Sequence, residues 1–425
     1  MKHYKTASLG LCLTLAALLG GSAFAEDAEK LPPFAMPDAR RYIEIGIDAG
    51  VGFANNMFSV KDILKKDVVL DLNEFTSTIP DKGGMISFAP LFAGFSISFN
   101  RYTYGRVKTL ADVKKLKWGF SLFGGLDGGI YGTLGKDLFK FLSQGNVKNH
   151  NMEGNIAASG GIFAEAGLLV YTARNRWIFG VRPSVFFPVL YIPDSEVTWK
   201  LTTPSSGGMK LEVDGGIDVY SPFDLDNIDM SGLFSAAGVD LTLSAEYALF
   251  RWLNFGLTAS HIPILASKLD YKRTYAPSED FGLEISDVLS GNPTTTTDFD
   301  FGSTSSKGAA YSVRRPLTFD LYGKLLMGWK YLNLLVVPNI GFTAMTLSNG
   351  SFSFNWGVMG RLQLAFLYLH IGTGLKDALW RHRVGLALNF RAIEFSVEGT
   401  LQSQNFSQSF AAQGLGVNVG FRMGW

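Results

Sequence analysis

Apolar residues recur at every second position in many short stretches of this chain. A period of two is typical of β-strands, whose successive side chains point to opposite faces of the sheet. The pattern is clearest in residues 415–425, where each odd-numbered position is apolar up to Trp425 and each even-numbered one is Gly, Asn or Arg. One face of such a strand suits lipid and the other suits water.

The same alternation predicts further strands. Eight segments carry it strongly, namely 42–53, 118–134, 162–170, 177–185, 239–249, 352–364, 384–390 and 393–401. Five carry it more weakly, namely 85–99, 253–262, 317–327, 332–344 and 367–375. With 415–425 these segments make 14 strands, and a hairpin of residues 196–203 and 209–220 would raise the number to 16.

Composition indicates a membrane protein without membrane helices. Hydrophobic residues make up 47% of the chain and charged residues 18%, yet no stretch after Ala25 has the roughly 18 uninterrupted apolar residues of a spanning helix. Lipid cannot satisfy backbone hydrogen bonds, so such a chain must close its sheet into a barrel. We therefore predict an all-β fold, a transmembrane antiparallel up-and-down β-barrel over residues 41–425. The alternative is a soluble β-rich secreted protein, which would not be expected to place so many glycines and ionisable groups opposite its apolar face.

The amino terminus predicts export. Residues 1–25 combine an early positive charge, an apolar stretch and a small-x-small cleavage site at Ala23 and Ala25, as in a signal peptide. Residues 26–40 would be a short periplasmic segment. Cys12 is the only cysteine, so removing 25 residues from 425 leaves 400 without a thiol, which excludes disulfides and thiolate ligands. The mature chain has 36 basic against 37 acidic residues, which argues against nucleic acid as a partner.

The connections predict an orientation. Aromatic-flanked tight turns at 250–254, 329–333, 365–370 and 390–394 suit the periplasmic side, where aromatic residues form a belt at the lipid boundary. The longer connections, 55–84, 135–153, 188–230 and 261–311, would then be extracellular and the carboxyl terminus periplasmic. Segment 55–84 is apolar enough to form a lid or constriction in the lumen, with a surface helix as the alternative.

Inward positions of the predicted strands are the candidate functional residues. They are Glu44, Asp48, Asp127, Glu165, Arg182, Asp240, Glu246, Lys324, Arg361 and Gln363. Charges that line water cost far less than charges that face lipid. These residues could form a selectivity lining, or an ion-paired wall that fills and stiffens the lumen.

Little in the sequence favours an enzyme. After Ala25 the histidines are His150, His261, His370 and His382, without the spacing of a metal site. We predict no catalytic residues, metal or cofactor, and assign His370 to a turn in the aromatic belt. Spacing alone leaves open a Ser-His-Asp hydrolase, because triads are assembled in space.

The closing strand resembles the terminal signal of bacterial outer-membrane barrels, which implies that the assembly machinery recognises Phe421, Met423 and Trp425. The signal peptide, about 400 mature residues, 14 strands, 34 Phe and terminal Trp425 together resemble the FadL-type barrels. That resemblance implies an outer-membrane channel or transporter for passive uptake of hydrophobic or amphiphilic nutrients such as fatty acids, with membrane lipid as a further partner. The alternatives are a general porin for polar solutes and a surface barrel that binds partners through its long loops, such as 292–308.

Overall fold

The fold consists almost entirely of β-strands. A computed structural model describes residues 41–59, 76–81, 83–102, 116–144, 151–202, 209–225, 231–250, 252–277, 282–283, 301–328, 332–345, 347, 352–390 and 392–425. Its strands are β1 (Ile43–Asn55), β2 (Gly84–Tyr102), β3 (Leu116–Leu134), β4 (Asn151–Arg174), β5 (Trp177–Thr202), β6 (Met209–Gly215), β7 (Ile217–Ser221), β8 (Gly238–Ala248), β9 (Leu253–Leu265), β10 (Ser267–Pro277), β11 (Gly282–Leu283), β12 (Phe301–Val313), β13 (Leu317–Gly328), β14 (Leu332–Ala344), β15 (Phe352–Leu364), β16 (Leu367–Lys376), β17 (Leu379–Asn389), β18 (Ile393–Ser403) and β19 (Gly414–Gly424).

Helices play a small part. Those in the described segments are α1 (Lys136–Gln144), α2 (Ser231–Ser235) and α3 (Phe406–Ser409), and residues 76–78 are also helical. No helix in this part of the chain is both long and apolar enough to cross a membrane. The predicted signal peptide and the segment 26–40 lie outside the described residues.

Fourteen strands form a closed antiparallel wall. The wall follows the order β1–β2–β3–β4–β5–β8–β9–β13–β14–β15–β16–β17–β18–β19, and β19 pairs back onto β1 from Glu44 opposite Gly424 to Ala54 opposite Gly414. Closure gives both edges of every wall strand a partner, as a barrel in lipid requires. The prediction of a 14-stranded antiparallel barrel is confirmed.

The two faces of the wall differ as the alternation predicts. From Trp177 to Phe186 on β5 the odd positions are exposed and the even ones buried. On β19 the exposed side chains include Leu415, Val419 and Trp425. A continuous exposed apolar surface of this kind is the outer face of a membrane barrel.

The additional hairpin forms but lies beyond the wall. The upper part of β5 pairs with β6, and β7 pairs with β10. β10 also pairs with β12. The wall itself continues past these strands because β9 pairs directly with β13. We call β6, β7, β10, β11, β12 and the upper part of β5 the arm. The segments 188–230 and 261–311, predicted as loops, therefore contain long strands.

The two ends of the barrel are unequal. We call the end that holds Arg41 and Trp425 the turn end, and the opposite end, which carries the arm, the loop end. Stacked aromatics mark the turn end, where the ring centroids of Phe250 and Trp252 are 5.5 Å apart and those of Phe366 and Phe390 are 5.6 Å apart. The predicted turn at 329–331 lies outside the described residues.

Two connections depart from the predicted asymmetry. Asp377 and Ala378 alone join β16 to β17 at the loop end, with φ of 51° and 62°. Residues 103–115 join β2 to β3 at the turn end. His370 also differs from its prediction, because it lies within β16 opposite Gly385 and not in a turn; its Nε2 lies 2.6 Å from Glu398 Oε2.

Candidate functional site

Four of the predicted lumen residues meet at one place inside the barrel. Asp127, Glu165, Arg182 and Asp240 come from β3, β4, β5 and β8, and all four are buried. Each lies on the inner face of its strand. The register of the neighbouring strands places the four side chains at a similar level along the barrel axis. Arg182 donates to Glu165 at 2.6 Å.

Arg315, which the sequence reasoning missed, joins this group into a network. Its Nε and Nη2 donate to the two carboxylate oxygens of Asp240 at 2.7 and 2.8 Å, a bidentate contact. Nη1 donates to Glu165 at 2.5 Å, and Nη2 also reaches the Ser184 hydroxyl at 2.9 Å. Asp127 is more distant, at 3.9 Å from Nη1. We call Asp127, Glu165, Arg182, Ser184, Asp240 and Arg315 the Arg315 network.

Arg315 was not predicted to be an inward residue because the alternation of apolar and polar positions is interrupted next to it. On β13 the buried inner positions are even-numbered, as at Asp320, Tyr322 and Lys324. Arg315 is odd-numbered and precedes Pro316, in an irregular stretch between β12 and β13. If the even-numbered inward positions of β13 continued back along the chain, residue 315 would be an outward position and Arg315 would face lipid. The Arg-Pro pair after a polar stretch was the only available signal.

Two polar atoms, one in the network and one beside it, lack a hydrogen-bond partner among the described residues. One is Arg182 Nε, whose guanidinium lies 4.0 Å from the centroid of the Phe123 ring. The other is Nε2 of His261. His261 Nδ1 lies 3.0 Å from the Pro316 carbonyl oxygen and must donate to it, which leaves Nε2 as an acceptor.

Glu246 and Lys324 form a second, smaller pair nearer the turn end. Lys324 Nζ donates to Glu246 at 2.5 Å. Asn254 donates to the other carboxylate oxygen at 2.6 Å, and the Tyr322 hydroxyl lies 3.2 Å away. The carboxylate therefore has several donors, which is what a buried charge requires.

The remaining predicted residues lie apart from the Arg315 network. Glu44 accepts from Arg41 at 2.9 Å at the turn end, and Asp48 lies 4.0 Å from Arg422. On β15, Arg361 stacks 4.1 Å from the centroid of Tyr368. Gln363 accepts from Asn333 at 3.3 Å. Their role as a selectivity lining stays a prediction.

A buried apolar cluster lies directly on the loop-end side of the Arg315 network. Its members, which we call the mouth cluster, are Phe163, Phe186, Tyr220, Ala236, Leu269 and Val313, with Tyr191, Tyr311 and Leu347 packed against them. Phe163, Phe186 and Val313 each stand two residues from a network member on the same strand or its extension. The rings of Tyr220 and Tyr311 stack at 4.1 Å.

Two of the tyrosines packed against this cluster, Tyr191 and Tyr311, have a raised pKa. β5 pairs with the wall strand β8 only from Trp177 to Phe186, so Tyr191 lies in the arm. Burial, with the charges of Tyr311 and Asp194, raises the pKa of Tyr191 to about 12. The pKa of Tyr311 is also raised, mainly by burial. These two phenols are therefore neutral at physiological pH.

A second apolar cluster lies mainly on the neighbouring strands of the wall. Ala54, Met85, Ala89, Tyr131 and Leu379, which we call the β1–β3 cluster, come from β1, β2, β3 and β17. Leu347 packs against this cluster as well. A third cluster, Tyr322, Leu326, Leu335 and Val337 with Met359, lies on the inner face of β13 to β15.

Segment 55–84, predicted as a lid or constriction, is described only at its ends. Met57 and Ile79 are buried there. Thr76 donates to the carbonyl of Phe139 in α1 at 3.2 Å. Residues 60–75 and 82 lie outside the described residues, so the lid stays a prediction.

The described segments show no candidate metal site. They contain no group of three or more His, Cys, Asp or Glu side chains that could hold a metal ion. His382 Nδ1 lies 2.9 Å from the Thr373 hydroxyl, and its Nε2 lies 2.7 Å from the Ser409 hydroxyl. Phe410 stacks on its ring at 4.0 Å. These contacts give His382 a structural setting.

The closed wall, apolar outer face and charged inner face define the class of protein: the chain is an outer-membrane β-barrel whose loop-end mouth holds two apolar clusters. Similar solved structures include the Pseudomonas putida toluene transporter TodX, with 10% identity over 95% of each chain and a TM-score of 0.42. The CymD monoaromatic hydrocarbon channel has 10% identity over 95% of this chain and 94% of that chain, with a TM-score of 0.33.

A mutant of the Rh. blastica porin is less similar, with 7% identity over 90% of this chain and 98% of that chain and a TM-score of 0.26. No family model matches the sequence, and no curated protein matches it. Similarities as low as these do not show that this chain shares the cargo or the mechanism of those proteins.

Proposed function

We propose that this barrel is an outer-membrane channel for the passive uptake of small hydrophobic or amphiphilic molecules. In this proposal the arm and the loop end face outside and Trp425 faces the periplasm. Molecules enter at the mouth cluster and leave towards the turn end.

The mouth cluster is the observation that supports this function. Phe163 and Phe186 lie on the buried face of wall strands β4 and β5, and Tyr220, Leu269 and Val313 join them from the arm. A polar solute that passes such a layer must give up hydrogen bonds to water, which costs about 1–3 kcal/mol for each unsatisfied group. A hydrophobic molecule loses nothing comparable and gains apolar contact. A general porin for polar solutes, the alternative, would not be expected to hold this layer at its mouth.

Uptake can be tested in cells whose own hydrophobic channel has been deleted. The lipopolysaccharide leaflet is then the barrier, and uptake of a labelled fatty acid is compared with that of a labelled sugar. We expect the chain to raise fatty-acid uptake much more than sugar uptake. Equal gains for both molecules would instead support the porin.

Two matched variants on β5 test whether the inner face carries the preference. Phe186→Ser changes the mouth cluster, whereas Phe179→Ser changes the exposed outer face of the same strand. We expect the ratio of fatty-acid to sugar uptake to fall only in Phe186→Ser. Heat-modifiable migration on gels confirms that both variants are folded. An unchanged ratio in Phe186→Ser would contradict the assignment.

A further inference from the structure

Arg381 is a buried arginine on the inner face of the wall. It belongs to β17, where the odd-numbered residues from 379 to 387 are buried or half-buried while Val384 and Leu386 are exposed. The Arg381 side chain is 5% exposed. No hydrogen bond, ion pair or aromatic contact joins its guanidinium to the part of the chain that the structure describes, and its Nε is a buried donor without an acceptor there.

The Arg315 network shows what a buried arginine requires in this barrel. Arg315 donates to the carboxylates of Asp240 and Glu165, and Arg182 donates to Glu165 as well. A buried charge is unfavourable without a counter-charge of this kind. Arg381 is nearly as buried and has none within the described segments. An unsatisfied buried group in a native structure needs an explanation, and the binding of a ligand is one.

The strands beside Arg381 place no carboxylate next to it. Its register partners are Gly374 on β16 and Gln402 on β18. The next inward residue of β17, Arg383, adds a second positive charge and lies 4.0 Å from the carboxylate of Glu398. Two guanidinium groups therefore share one carboxylate at this level of β17 and β18. This part of the inner face favours an anion.

Gln402 connects Arg381 to the β1–β3 cluster. Its Nε2 donates at 2.9 Å to the carbonyl oxygen of Ala89, which belongs to that cluster. Leu379, another member, is the inward residue that precedes Arg381 on β17. Gln402 Oε1 also lacks a partner within the described strands. A water molecule between Oε1 and Arg381 Nε would satisfy both atoms but would leave the charge uncompensated. A cationic group and an apolar surface thus lie side by side.

We propose that Arg381 binds the carboxylate of an amphiphilic molecule whose apolar part packs on the β1–β3 cluster. A guanidinium presents its N–H donors in a planar fork that matches the two oxygens of a carboxylate. Arg315 and Arg182 do not serve this purpose, because carboxylates of the chain already accept their hydrogen bonds. This inference deepens the proposed function and rests on it for the passage of the molecule through the barrel.

The test measures binding to the purified full-length barrel in a non-ionic detergent by isothermal titration calorimetry. Octanoate and octanol are probes of equal chain length that differ in the charge of the head group, and acetate is a probe with the head group alone. The variants are Arg381→Gln and Arg381→Lys. The matched control is Arg422→Gln, which removes another inward arginine, 4.0 Å from Asp48 at the turn end.

We expect octanoate to bind more tightly than either octanol or acetate. Arg381→Gln should weaken octanoate binding about tenfold or more, because a hydrogen bond to a charged group is lost, and should leave octanol binding unchanged. Arg381→Lys should be intermediate, and Arg422→Gln should match the unaltered chain. Unchanged octanoate affinity in Arg381→Gln would overturn the proposal, as would an equal loss in Arg422→Gln. Acetate that binds as tightly as octanoate would show a site for small anions and would overturn the role of the β1–β3 cluster.

Stability supplies a second readout, because a structural arginine and a ligand-binding arginine differ in what their removal costs. Without a partner in the fold, Arg381 has no ion pair to lose. Arg381→Gln without ligand should therefore unfold at the same urea concentration as the unaltered chain or at a higher one. A clear fall in that concentration would show that the fold itself uses the charge of Arg381, and the proposal would be overturned.

These outcomes are separate from those that test the proposed function. If octanoate binds through Arg381 but cells gain fatty-acid and sugar uptake equally, the proposed function fails and the Arg381 site stands. If fatty-acid uptake is preferred but Arg381→Gln binds octanoate as the unaltered chain does, the Arg381 site fails and the proposed function stands.

Discussion

Replacement of Arg315 by methionine should destabilise the barrel strongly. The change keeps much of the aliphatic side chain and removes the guanidinium, which is 1% exposed. In the unaltered network two arginines face the carboxylates of Asp127, Glu165 and Asp240. Afterwards Arg182 alone faces the three carboxylates, and Asp240 loses both of its arginine contacts.

The expected magnitude follows from burial and geometry. Removal of one partner from a buried ion pair costs about 3–5 kcal/mol, because the other charge stays buried without compensation. Arg315→Lys should be intermediate, since one ammonium keeps the charge but cannot reproduce the planar fork that contacts Asp240 and Glu165 together. The control is Lys200→Met, which breaks an exposed 3.2 Å pair with Glu153. Exposed pairs contribute at most about 1 kcal/mol.

The assay is reversible urea unfolding of the barrel in lipid vesicles, followed by tryptophan fluorescence. A double-mutant cycle with Asp240→Asn supplies the sharper test, because removal of both partners leaves fewer unpaired charges. We expect the double variant to lose clearly less free energy of unfolding than the sum of the single variants. A loss in Arg315→Met no larger than that in Lys200→Met, or strict additivity in the cycle, would refute the reasoning.

Two further predictions concern the carboxyl terminus and the arm. Trp425→Ser should lower the amount of assembled barrel in the membrane while hardly changing the urea midpoint of barrels that do fold, because the side chain is 64% exposed; equal assembly would contradict the proposed signal. Tyrosinate absorbance should show Tyr191 ionising near pH 12, a signal that Tyr191→Phe removes. Because this pKa is raised above the ordinary value of 10.0, the neutral tyrosine stabilises the fold below about pH 10, and that contribution is lost as the pH rises towards 12.

The wall could be predicted from the sequence because its environment is simple. Lipid on one side requires apolar side chains, and the polar interior leaves a contrast at every second residue. The arm lacks that contrast. β12 has Ser, Thr, Lys and Gly on positions 302–308, and every residue from 302 to 310 is exposed. A strand with both faces in water carries no alternation to detect, so these residues were predicted as loop.

The interior could be predicted only in part for a related reason. Alternation shows which face of the sheet a residue occupies. It does not show how far along the barrel axis the residue lies, or which side chain it contacts on another strand. Glu165 and Arg182 are both buried, and the pairing between them depends on strand register. Leu347 lies outside any strand, yet it packs against two apolar clusters. Periodicity carries no information about such a contact.

The order of the layers links stability to selectivity. The mouth cluster separates the Arg315 network from the solvent beyond the loop end, and ion pairs are stronger where water is excluded. Phe186 covers Arg315, whose Cζ lies 5.2 Å from the centroid of the Phe186 ring. Phe186→Ser should therefore admit water to the network and reduce the effect of losing Arg315. We therefore expect Arg315→Met to cost less free energy of unfolding in the Phe186→Ser background than in the unaltered chain, with Phe179→Ser as the control background. The same penalty in all three backgrounds would show that the apolar layer does not shield the network.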